Sequence, residues 1–450
     1  MQNLKDIKSI HFLGIGGISM SALAKLALSK NILVSGSDDH LSQITKNLSD
    51  LGAKICLHKN LEGVRKCDLF VYTVAVNKRS PDFELALKLK KTILERAEFL
   101  ELVAKNYKEV IAISGTHGKT TTTAMIASIM KEKNPTVHIG GEVDEFGGNL
   151  KIGKKDIFIT EACEFNKSFL HLTPSILVVT NIECDHMDCY KNLEEIQSTF
   201  LQFIYKTTDF VVLNHNFLHL CDQNFANSKI CTFDIDKKCD FWATNLTSEK
   251  GCYTFDVFNG NFYLGKIELS VPGKHSVLNA LASIAVGVNS GISFEKIKKA
   301  LKNFCNVHRR FEKLYDKSIK VFTDYSHHPT EIKCAIETAK EFSPNRLFCI
   351  FQPHTYTRTK ALFNDFLTCF TGCDELLLVP TYSAREQSIE GGDSFDLFKK
   401  LPDDLNSIYF KEMKSLKNYL SKVIKNGDII LWIGAGDIDK TAKEFVAELP

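Results

Sequence analysis

The sequence predicts an α/β protein in which a nucleotide-type unit occurs three times, and three observations support this. Short apolar runs of strand length alternate with helical patterns along the chain, which is typical of parallel sheets flanked by helices. Glycine-rich turns follow three of these runs, at residues 14–17, 115–118 and 434–436. The length of 450 residues suits about two to four domains. We therefore expect three α/β units in succession.

The composition excludes several classes of protein. With 44% hydrophobic and 24% charged residues and a net charge of +2, the chain is ordinary for a globular protein. A nucleic-acid-binding surface over the whole protein is not expected. The N-terminus lacks the regions of a signal peptide, and no apolar run is long enough to span a bilayer. We expect a cytoplasmic protein with small-molecule partners, monomeric or weakly dimeric, without nucleic acid and without membrane insertion.

The cysteines favour reduced thiols. The 14 cysteines are scattered through apolar segments, which is typical of a cytosolic protein. Cys184 and Cys189 lie close together but have no Cys-x-x-Cys partner nearby. A zinc site is therefore not expected.

The first unit opens with a glycine-rich turn after the apolar run Ser9–Leu13. The turn at residues 14–17 comes close to the dinucleotide-binding fingerprint, with Ser19 in place of the third glycine. A second apolar run ends in Asp38, at about the fingerprint distance. These features predict a diphosphate on the first helix and a hydroxylated group near Asp38. An NAD-type cofactor and a UDP-sugar satisfy both conditions equally well.

The second unit contains a phosphate-binding signal. The apolar run Val110–Ile113 leads into Ser114–Thr120, and a helical pattern follows. Such a strand, turn and helix present backbone N–H groups and the positive end of the helix dipole to an anion. Gly115 and Gly118 allow the backbone to approach a phosphate closely.

Two side chains complete this loop. Lys119 can reach the outer phosphates of a nucleotide, and the Thr120 hydroxyl can ligate Mg²⁺. The usual pattern has a further glycine where this chain has Ile113, so the loop is a shorter variant. An ordinary glycine-rich turn is the less favoured interpretation.

An acid and a histidine follow two further strands of the second unit. The apolar runs Asp156–Thr160 and Ser175–Asn181 lead to Glu161 and His186. A buried carboxylate is unfavourable unless it is paired or metal-bound, so Glu161 is a candidate Mg²⁺ ligand. His186 is equally a candidate for a capping or packing group. Because Thr120 also follows a strand, we expect these residues at the carboxyl edge of one sheet.

A different pattern occupies residues 240–270, where polar and apolar residues alternate between turn signals. This alternation predicts an antiparallel excursion. The segment Val271–Ala280 then opens a helix rich in small residues.

The third unit begins near Arg310, which either contacts a phosphate or pairs with Glu312, and its place at the domain junction favours the phosphate contact. The apolar run Val321–Asp324 is followed by the loop Tyr325–Pro329, whose proline suits the first turn of a helix. His327 in this loop is a general base, a substrate contact or a solvent-facing residue. We favour substrate contact.

These residues resemble the Mur ligases, the ATP-dependent amide-bond synthetases of bacterial cell-wall assembly. The resemblance covers essentially the whole chain, and its most specific marks are Phe12–Gly17, Gly115–Thr121 and Thr180–His186. Asp324–Glu331 and Gln352–His354 are similar to the member of the family that adds L-alanine. The implied domains are a Rossmann-like UDP-substrate domain (1–106), a central P-loop ATPase-type domain with a parallel sheet (107–312) and a Rossmann-like C-terminal domain that closes over the active site (313–450).

The resemblance also implies roles for individual residues. ATP would contact Gly115, Thr116, His117, Gly118, Lys119, Thr120, Thr121, His275, Asn279, Arg310 and Asp324. The UDP-substrate would contact Gly14, Gly16, Gly17, Asp38, Thr73, Tyr325 and His354. The metal ligands would be Thr120, Glu161 and His186, and the catalytic groups Lys119, Glu161, His186, His327 and Arg358.

Three positions depart from the family pattern. Ser276 occupies a position where asparagine is common, and Cys163–Phe165 replaces a frequent Asp-Glu-Ser. Thr355 occupies a position where arginine is common. Because position 355 is not an arginine here, Arg358 would contribute more to holding the substrate carboxylates.

The implied reaction joins L-alanine to the lactyl carboxylate of UDP-N-acetylmuramate in peptidoglycan precursor synthesis. ATP and Mg²⁺ would be needed, an acyl phosphate would form, and ADP and phosphate would be released. One alternative is a family member that adds a preformed peptide or a later amino acid. An NAD-dependent oxidoreductase and a non-catalytic nucleotide-binding switch are the alternatives from other classes. The sequence does not identify the base that deprotonates the amine.

Overall fold

The computed structural model describes residues 4–185, 189–221, 228–384 and 386–449. Their strands form three sheets, of five, ten and six strands, which confirms the predicted α/β class. The chain divides into two compact units. The first contains residues 1–115, 122–181 and 198–231, and the second contains residues 116–121, 182–197 and 232–450. None of the helices in the described ranges has the length and apolar character of a bilayer span.

The N-terminal sheet of the first unit is parallel. Its strands are β1 (Ser9–Leu13), β2 (Leu33–Asp38), β3 (Lys54–Leu57), β4 (Leu69–Tyr72) and β5 (Thr92–Glu95), and its helices are α1 (Ile18–Ser29), α2 (Gln43–Asp50), α3 (Leu61–Lys66), α4 (Pro81–Lys88) and α5 (Arg96–Ala104). The strand order is β3-β2-β1-β4-β5. The order reverses direction beside β1, so the turn after β1 lies where parallel sheets bind ligands.

A second sheet begins in the first unit. Its strands there are β6 (Glu109–Ser114), β7 (Thr136–Val143), β8 (Gly148–Lys151), β9 (Ile157–Glu161), β10 (Ile176–Val179) and β11 (Phe210–Asn214). β6 lies between β9 and β10 and is parallel to both, so the carboxyl ends of these three strands share one edge. The helices along this stretch are α6 (Lys119–Ile129) and α7 (Leu193–Tyr205).

The predicted antiparallel excursion is confirmed in the second unit. After β12 (Lys229–Ile235), the chain forms β13 (Phe241–Glu249), β14 (Cys252–Asn259) and β15 (Phe262–Pro272), and these three pair antiparallel in sequence order. Helices α8 (Lys274–Asn289) and α9 (Phe294–Lys302) follow. Gly273 has a φ of +94°, which glycine adopts readily and which lets the chain turn into α8.

The C-terminal sheet of the second unit is parallel except at one edge. Its strands are β16 (Glu312–Asp316), β17 (Lys320–Asp324), β18 (Leu347–Phe351), β19 (Glu375–Leu378), β20 (Ser407–Tyr409) and β21 (Ile429–Ile433), in the order β16-β17-β21-β18-β19-β20. Its helices are α10 (Pro329–Lys340), α11 (Tyr356–Ala361), α12 (Phe363–Phe366), α13 (Ser394–Phe398), α14 (Met413–Val423) and α15 (Ile438–Ala447).

The central strand of this sheet shows why its sequence is apolar throughout. Ile429, Leu431 and Ile433 pack into one apolar cluster, and Ile430 and Trp432 pack into another. Because successive side chains of a strand point to opposite faces, a strand buried on both sides has no polar positions. The helices cover both faces, as is usual for parallel sheets.

Candidate active site

The turn after β1 brings together five residues predicted to hold the UDP-substrate. Gly14 has a φ of +80°, and a Cβ there would lie 2.9 Å from the Thr73 methyl carbon. The Gly16 N–H donates to Asp38 Oδ2 at 2.8 Å. Gly17 is the N-cap residue of α1. A side chain at Gly14 or Gly16 would therefore crowd Thr73 or Asp38.

A buried histidine that no sequence motif marks lies beside this turn. His138 Nε2 is 3.0 Å from Ser19 Oγ, and His138 Nδ1 is 2.9 Å from Thr160 Oγ1. The Arg96 guanidinium also donates to Ser19 Oγ, at 3.5 Å. Burial, together with the nearby Arg96 charge, lowers the pKa of His138 to about 4. A neutral imidazole thus connects the first turn of α1 to β9, a contact for which the strand-like sequence around His138 gives no signal.

Glu161 lies at the carboxyl end of β9, as predicted. Its Oε1 accepts a hydrogen bond from the Gly140 N–H at 2.6 Å. Thr120 lies in the first turn of α6 and is buried, whereas His186 lies outside the described residues. A hydroxyl and a carboxylate are hard oxygen donors of the kind that Mg²⁺ prefers, so the chemistry of this donor set fits the metal. The three-residue metal site stays a prediction.

The two glycines of the phosphate loop have conformations that other residues rarely adopt. Gly115 has a φ of +129°, and a Cβ there would lie 2.1 Å from Thr180 Oγ1. Gly118 has a φ of +81°, and a Cβ there would lie 2.5 Å from Asn279 Oδ1. Asn279, predicted to bind ATP, therefore adjoins the loop from α8. His275 lies one turn earlier on α8, where burial lowers its pKa.

Hydrogen bonds within the loop and from Glu183 hold the loop in place. Lys119 Nζ donates to the Thr116 carbonyl oxygen at 3.0 Å, and Thr116 Oγ1 accepts from the Glu183 N–H at 2.9 Å. Thr121 continues the first turn of α6. These contacts fix the backbone that the phosphate-loop pattern predicts will bind an anion.

His117 occupies the middle of the loop and faces two carboxylates. His117 Nδ1 is 3.0 Å from Glu331 Oε1, and Nε2 is 3.5 Å from Glu183 Oε2. The His328 ring lies 4.9 Å from the His117 ring, between centroids, and His328 Nε2 donates to the Cys184 carbonyl oxygen at 3.0 Å. Among the described residues, the ligand atoms of His117, Glu183 and His328 lie within 4.8 Å of one another.

Arg310 and Asp324 have partners within the second unit. The Arg310 guanidinium carbon lies 5.1 Å from the centre of the Tyr325 ring. Asp324 accepts hydrogen bonds from the Phe311 N–H at 2.6 Å and from the Ser326 N–H at 2.7 Å. Asp324 therefore joins the segment before β16 to the loop after β17, and its predicted nucleotide contact stays a prediction.

His327, His354 and Arg358 lie near the carboxyl edge of the C-terminal sheet. His327 Nδ1 donates to the Tyr325 carbonyl oxygen at 2.9 Å, and burial lowers the pKa of His327 to about 4. This ring is neutral, with Nε2 as its unprotonated nitrogen. Burial, and to a smaller extent the nearby Arg358 charge, lowers the pKa of His354 to about 4. Arg358 Nε also lies 3.4 Å from Asp185 Oδ1.

Three family descriptions match the chain. Residues 9–108 match "Mur ligase family, catalytic domain", residues 113–287 match "Mur ligase middle domain", and residues 309–436 match "Mur ligase, glutamate ligase domain". The three matches correspond to the three sheets. The predicted boundaries at residues 106 and 312 stay predictions.

Full-length relatives agree with these matches. The chain is 43% identical to a UDP-N-acetylmuramate–L-alanine ligase of Clostridium botulinum (strain Loch Maree / Type A3), over 98% of this chain and 97% of the relative. It is 40% identical to the ligase of the same name from Caldanaerobacter subterraneus subsp. tengcongensis, over 99% of each chain.

Solved structures extend the similarity to the fold. A crystal structure of UDP-N-acetylmuramate–alanine ligase from Thermotoga maritima has a TM-score of 0.82 and 31% identity, over 98% of each chain. A murein peptide ligase from Psychrobacter arcticus has a TM-score of 0.75 at 23% identity, over 98% of this chain and 99% of that chain, which shows a shared fold. With its loop geometry, its three sheets and its full-length relatives, this chain belongs to the Mur ligase family.

Proposed function

We propose that this enzyme joins L-alanine to the lactyl carboxylate of UDP-N-acetylmuramate at the expense of ATP, a step in peptidoglycan synthesis. The observation that carries the proposal is identity of 40 to 43% to ligases of this name over 98 to 99% of the chain. The assignment therefore rests on all three sheets, including the C-terminal one, near whose carboxyl edge His327, His354 and Arg358 lie.

The first step is transfer of a phosphoryl group. An oxygen of the lactyl carboxylate attacks the γ-phosphorus of ATP, the bond from that phosphorus to the β,γ-bridging oxygen breaks, and ADP leaves. The product is an acyl phosphate. Catalysis of such a step is mainly positioning and charge stabilisation. The Gly115–Thr121 loop offers backbone N–H groups and the Lys119 ammonium for this purpose.

The second step forms the amide. The amine nitrogen of L-alanine attacks the acyl carbon, the bond from carbon to the bridging oxygen breaks, and inorganic phosphate leaves with that oxygen. The nitrogen loses a proton in the process. His327 is neutral, and because its Nδ1 donates to the Tyr325 carbonyl, Nε2 is left as a hydrogen-bond acceptor that can orient the amine.

Mg²⁺ would be held by Thr120 and Glu161, with His186 as a further predicted ligand, and would supply neutralisation of the phosphate charges. Oxygen ligands of this kind suit Mg²⁺. The neighbouring groups of this chain keep the ligands in place. The Gly140 N–H hydrogen bond fixes the Glu161 carboxylate, and helix α6 fixes Thr120.

The test is ADP release in the presence of UDP-N-acetylmuramate, Mg²⁺ and each candidate acceptor in turn. We expect L-alanine to give the fastest release, with glycine and L-serine slower. Preference for D-glutamate, meso-diaminopimelate or a tripeptide would assign the chain to another reaction of the family. NAD binding without ATP turnover would instead favour an oxidoreductase.

A further inference from the structure

We propose that His117 is a positioning residue that clamps the phosphate loop between Glu183 and Glu331. We call these three residues the His117 bridge. This inference deepens the proposed function and rests on it, because it explains how the ATP-binding loop is held for phosphoryl transfer. His117 lies two residues before Lys119, so displacement of its ring would be transmitted directly to the groups that are predicted to contact phosphate.

Glu331 holds one end of the bridge rigidly. Its Oε1 lies 3.0 Å from His117 Nδ1, while its Oε2 accepts from the His327 N–H at 3.1 Å. Glu331 is the third residue of α10, and its carboxylate also reaches back to the His328 N–H, which completes a capping box. The start of α10 thus holds the Glu331 carboxylate in place independently of its contact with His117.

Glu183 holds the other end. Its Oε2 is 3.5 Å from His117 Nε2 and accepts from the Thr330 hydroxyl at 2.9 Å. The Glu183 backbone N–H donates to Thr116 Oγ1. Both carboxylates therefore contact the start of α10 as well as the phosphate loop. The bridge makes the position of the loop depend on the segment that carries His327.

The hydrogen bonds of His328 indicate that a protonated His117, and not a metal ion, joins the two carboxylates. Because a carbonyl oxygen only accepts, the Cys184 carbonyl requires His328 Nε2 to carry a proton. The other nitrogen of His328 accepts from the Thr330 N–H at 3.3 Å. His328 thus has no remaining lone pair for a metal, although its ligand atom lies within 4.8 Å of those of His117 and Glu183.

The charges of the cluster agree with this geometry. Burial opposes the charged form of His117, yet Glu331 and Glu183 raise the pKa of His117 to about 9. The nearby His117 ring lowers the pKa of Glu183. A doubly protonated imidazole carries a positive charge, so His117 can donate from Nδ1 to Glu331 at 3.0 Å and attract Glu183 from Nε2 as an ion pair at 3.5 Å. The other titratable or charged groups around the bridge are Asp185, His275, Arg310, His327, His328 and Cys334.

The test compares His117→Gln, Glu331→Gln and the double variant in the full-length enzyme. Each variant removes a hydrogen bond to a charged group. The loss of such a bond should lower kcat/KM for ATP by about 10- to 100-fold. We expect that loss in each single variant. The KM of UDP-N-acetylmuramate should change less than about threefold, because distant sites act nearly independently. The double variant should be no worse than the poorer single variant, because both changes break one bridge. Additive losses would overturn the proposal.

Two controls separate the bridge from general damage. His308→Gln removes another histidine–glutamate pair, His308 Nδ1 to Glu312 Oε1 at 2.8 Å, and should leave ATP kinetics unchanged. Thermal unfolding shows whether a variant is folded. If a His117 variant is unfolded, the kinetics of Glu331→Gln alone are compared with those of the wild type. That variant keeps His117 and His328.

The pH dependence and metal content complete the test. Wild-type ATP affinity, measured by calorimetry, should fall more steeply than that of His117→Gln as pH rises through about 9. Identical profiles would overturn the proposal, as would bound zinc in the purified enzyme that His117→Gln loses. Calorimetry needs no acceptor substrate, so it still tests the bridge if the enzyme fails to ligate L-alanine, an outcome that would overturn only the proposed function.

Discussion

At the scale of single residues, Gly16 is a position where an added side chain would directly disturb the proposed UDP-substrate site. A Cβ there would lie 3.0 Å from Asp38 Oδ2, the atom that accepts the Gly16 N–H. We predict that Gly16→Val raises the KM of the UDP-substrate by about 100-fold, the effect of losing roughly 3 kcal/mol of binding. The KM of ATP should change little. An equal rise in both KM values would show that the turn is needed only for folding.

Glu161 is the residue on which the metal prediction can be tested most directly. Loss of one group that stabilises the charge of a transition state typically lowers kcat by about 10²–10³. We predict that loss for Glu161→Ala, with a steeper dependence on Mg²⁺ concentration than in the wild type. Glu142→Ala removes an exposed carboxylate on β7 and serves as the control. Near-normal turnover of Glu161→Ala at low millimolar Mg²⁺ would contradict the metal role.

At the scale of elements, His138 makes the attachment of β7 to α1 and β9 sensitive to acid. The pKa of His138 falls from 6.5 to about 4 on folding, so the unfolded chain binds the proton more tightly. The associated stability is present above pH 6.5 and is lost as pH falls towards 4. We predict a shallower loss of unfolding free energy over this interval for His138→Gln, measured by urea titration.

The comparison with His138→Gln is needed because other histidines titrate in the same direction. His327 and His354 also have pKa values lowered to about 4 by burial, and they contribute to the acid sensitivity of both proteins. Only the difference in unfolding free energy between the wild type and His138→Gln over this pH range measures the contribution of His138. Parallel profiles would mean that His138 exchanges protons with little change in affinity on folding.

At the scale of the whole molecule, the proposed reaction requires one chain to convert two substrates into a reactive intermediate. We predict that borohydride added during turnover without L-alanine reduces the acyl phosphate to a primary alcohol on the sugar nucleotide, detected by mass spectrometry. The product should require ATP, and Lys119→Ala should abolish it. ADP formation without any reduced product would contradict the acyl-phosphate route.

Much of the fold was predictable because its signals are local. The run Ile429–Ile433 is a strand because apolar residues of this kind suit a position buried on both faces. Alternation in residues 240–270 predicted the antiparallel strands of the second unit. Pro329 predicted the start of α10 because proline is well placed in the first turn of a helix.

The phosphate loop shows how much of a site the sequence by itself can determine. Gly115 and Gly118 have positive φ values and no room for a Cβ, so residue identity and backbone geometry are directly linked. Lys119 and Thr120 follow from the spacing of the same motif. Family membership was likewise evident from motifs spread over the whole chain, since three separate segments carry them.

Only the tertiary structure decided which distant side chains meet. Glu331 lies 214 positions after His117 in the chain, and Ser19 lies 119 positions before His138, so no local pattern indicates either pair. The sequence marks a histidine or a glutamate but carries no signal for its partner. Burial and the neighbouring charge set the protonation of each ring, which is why His117 is a cation while His138 and His327 are neutral.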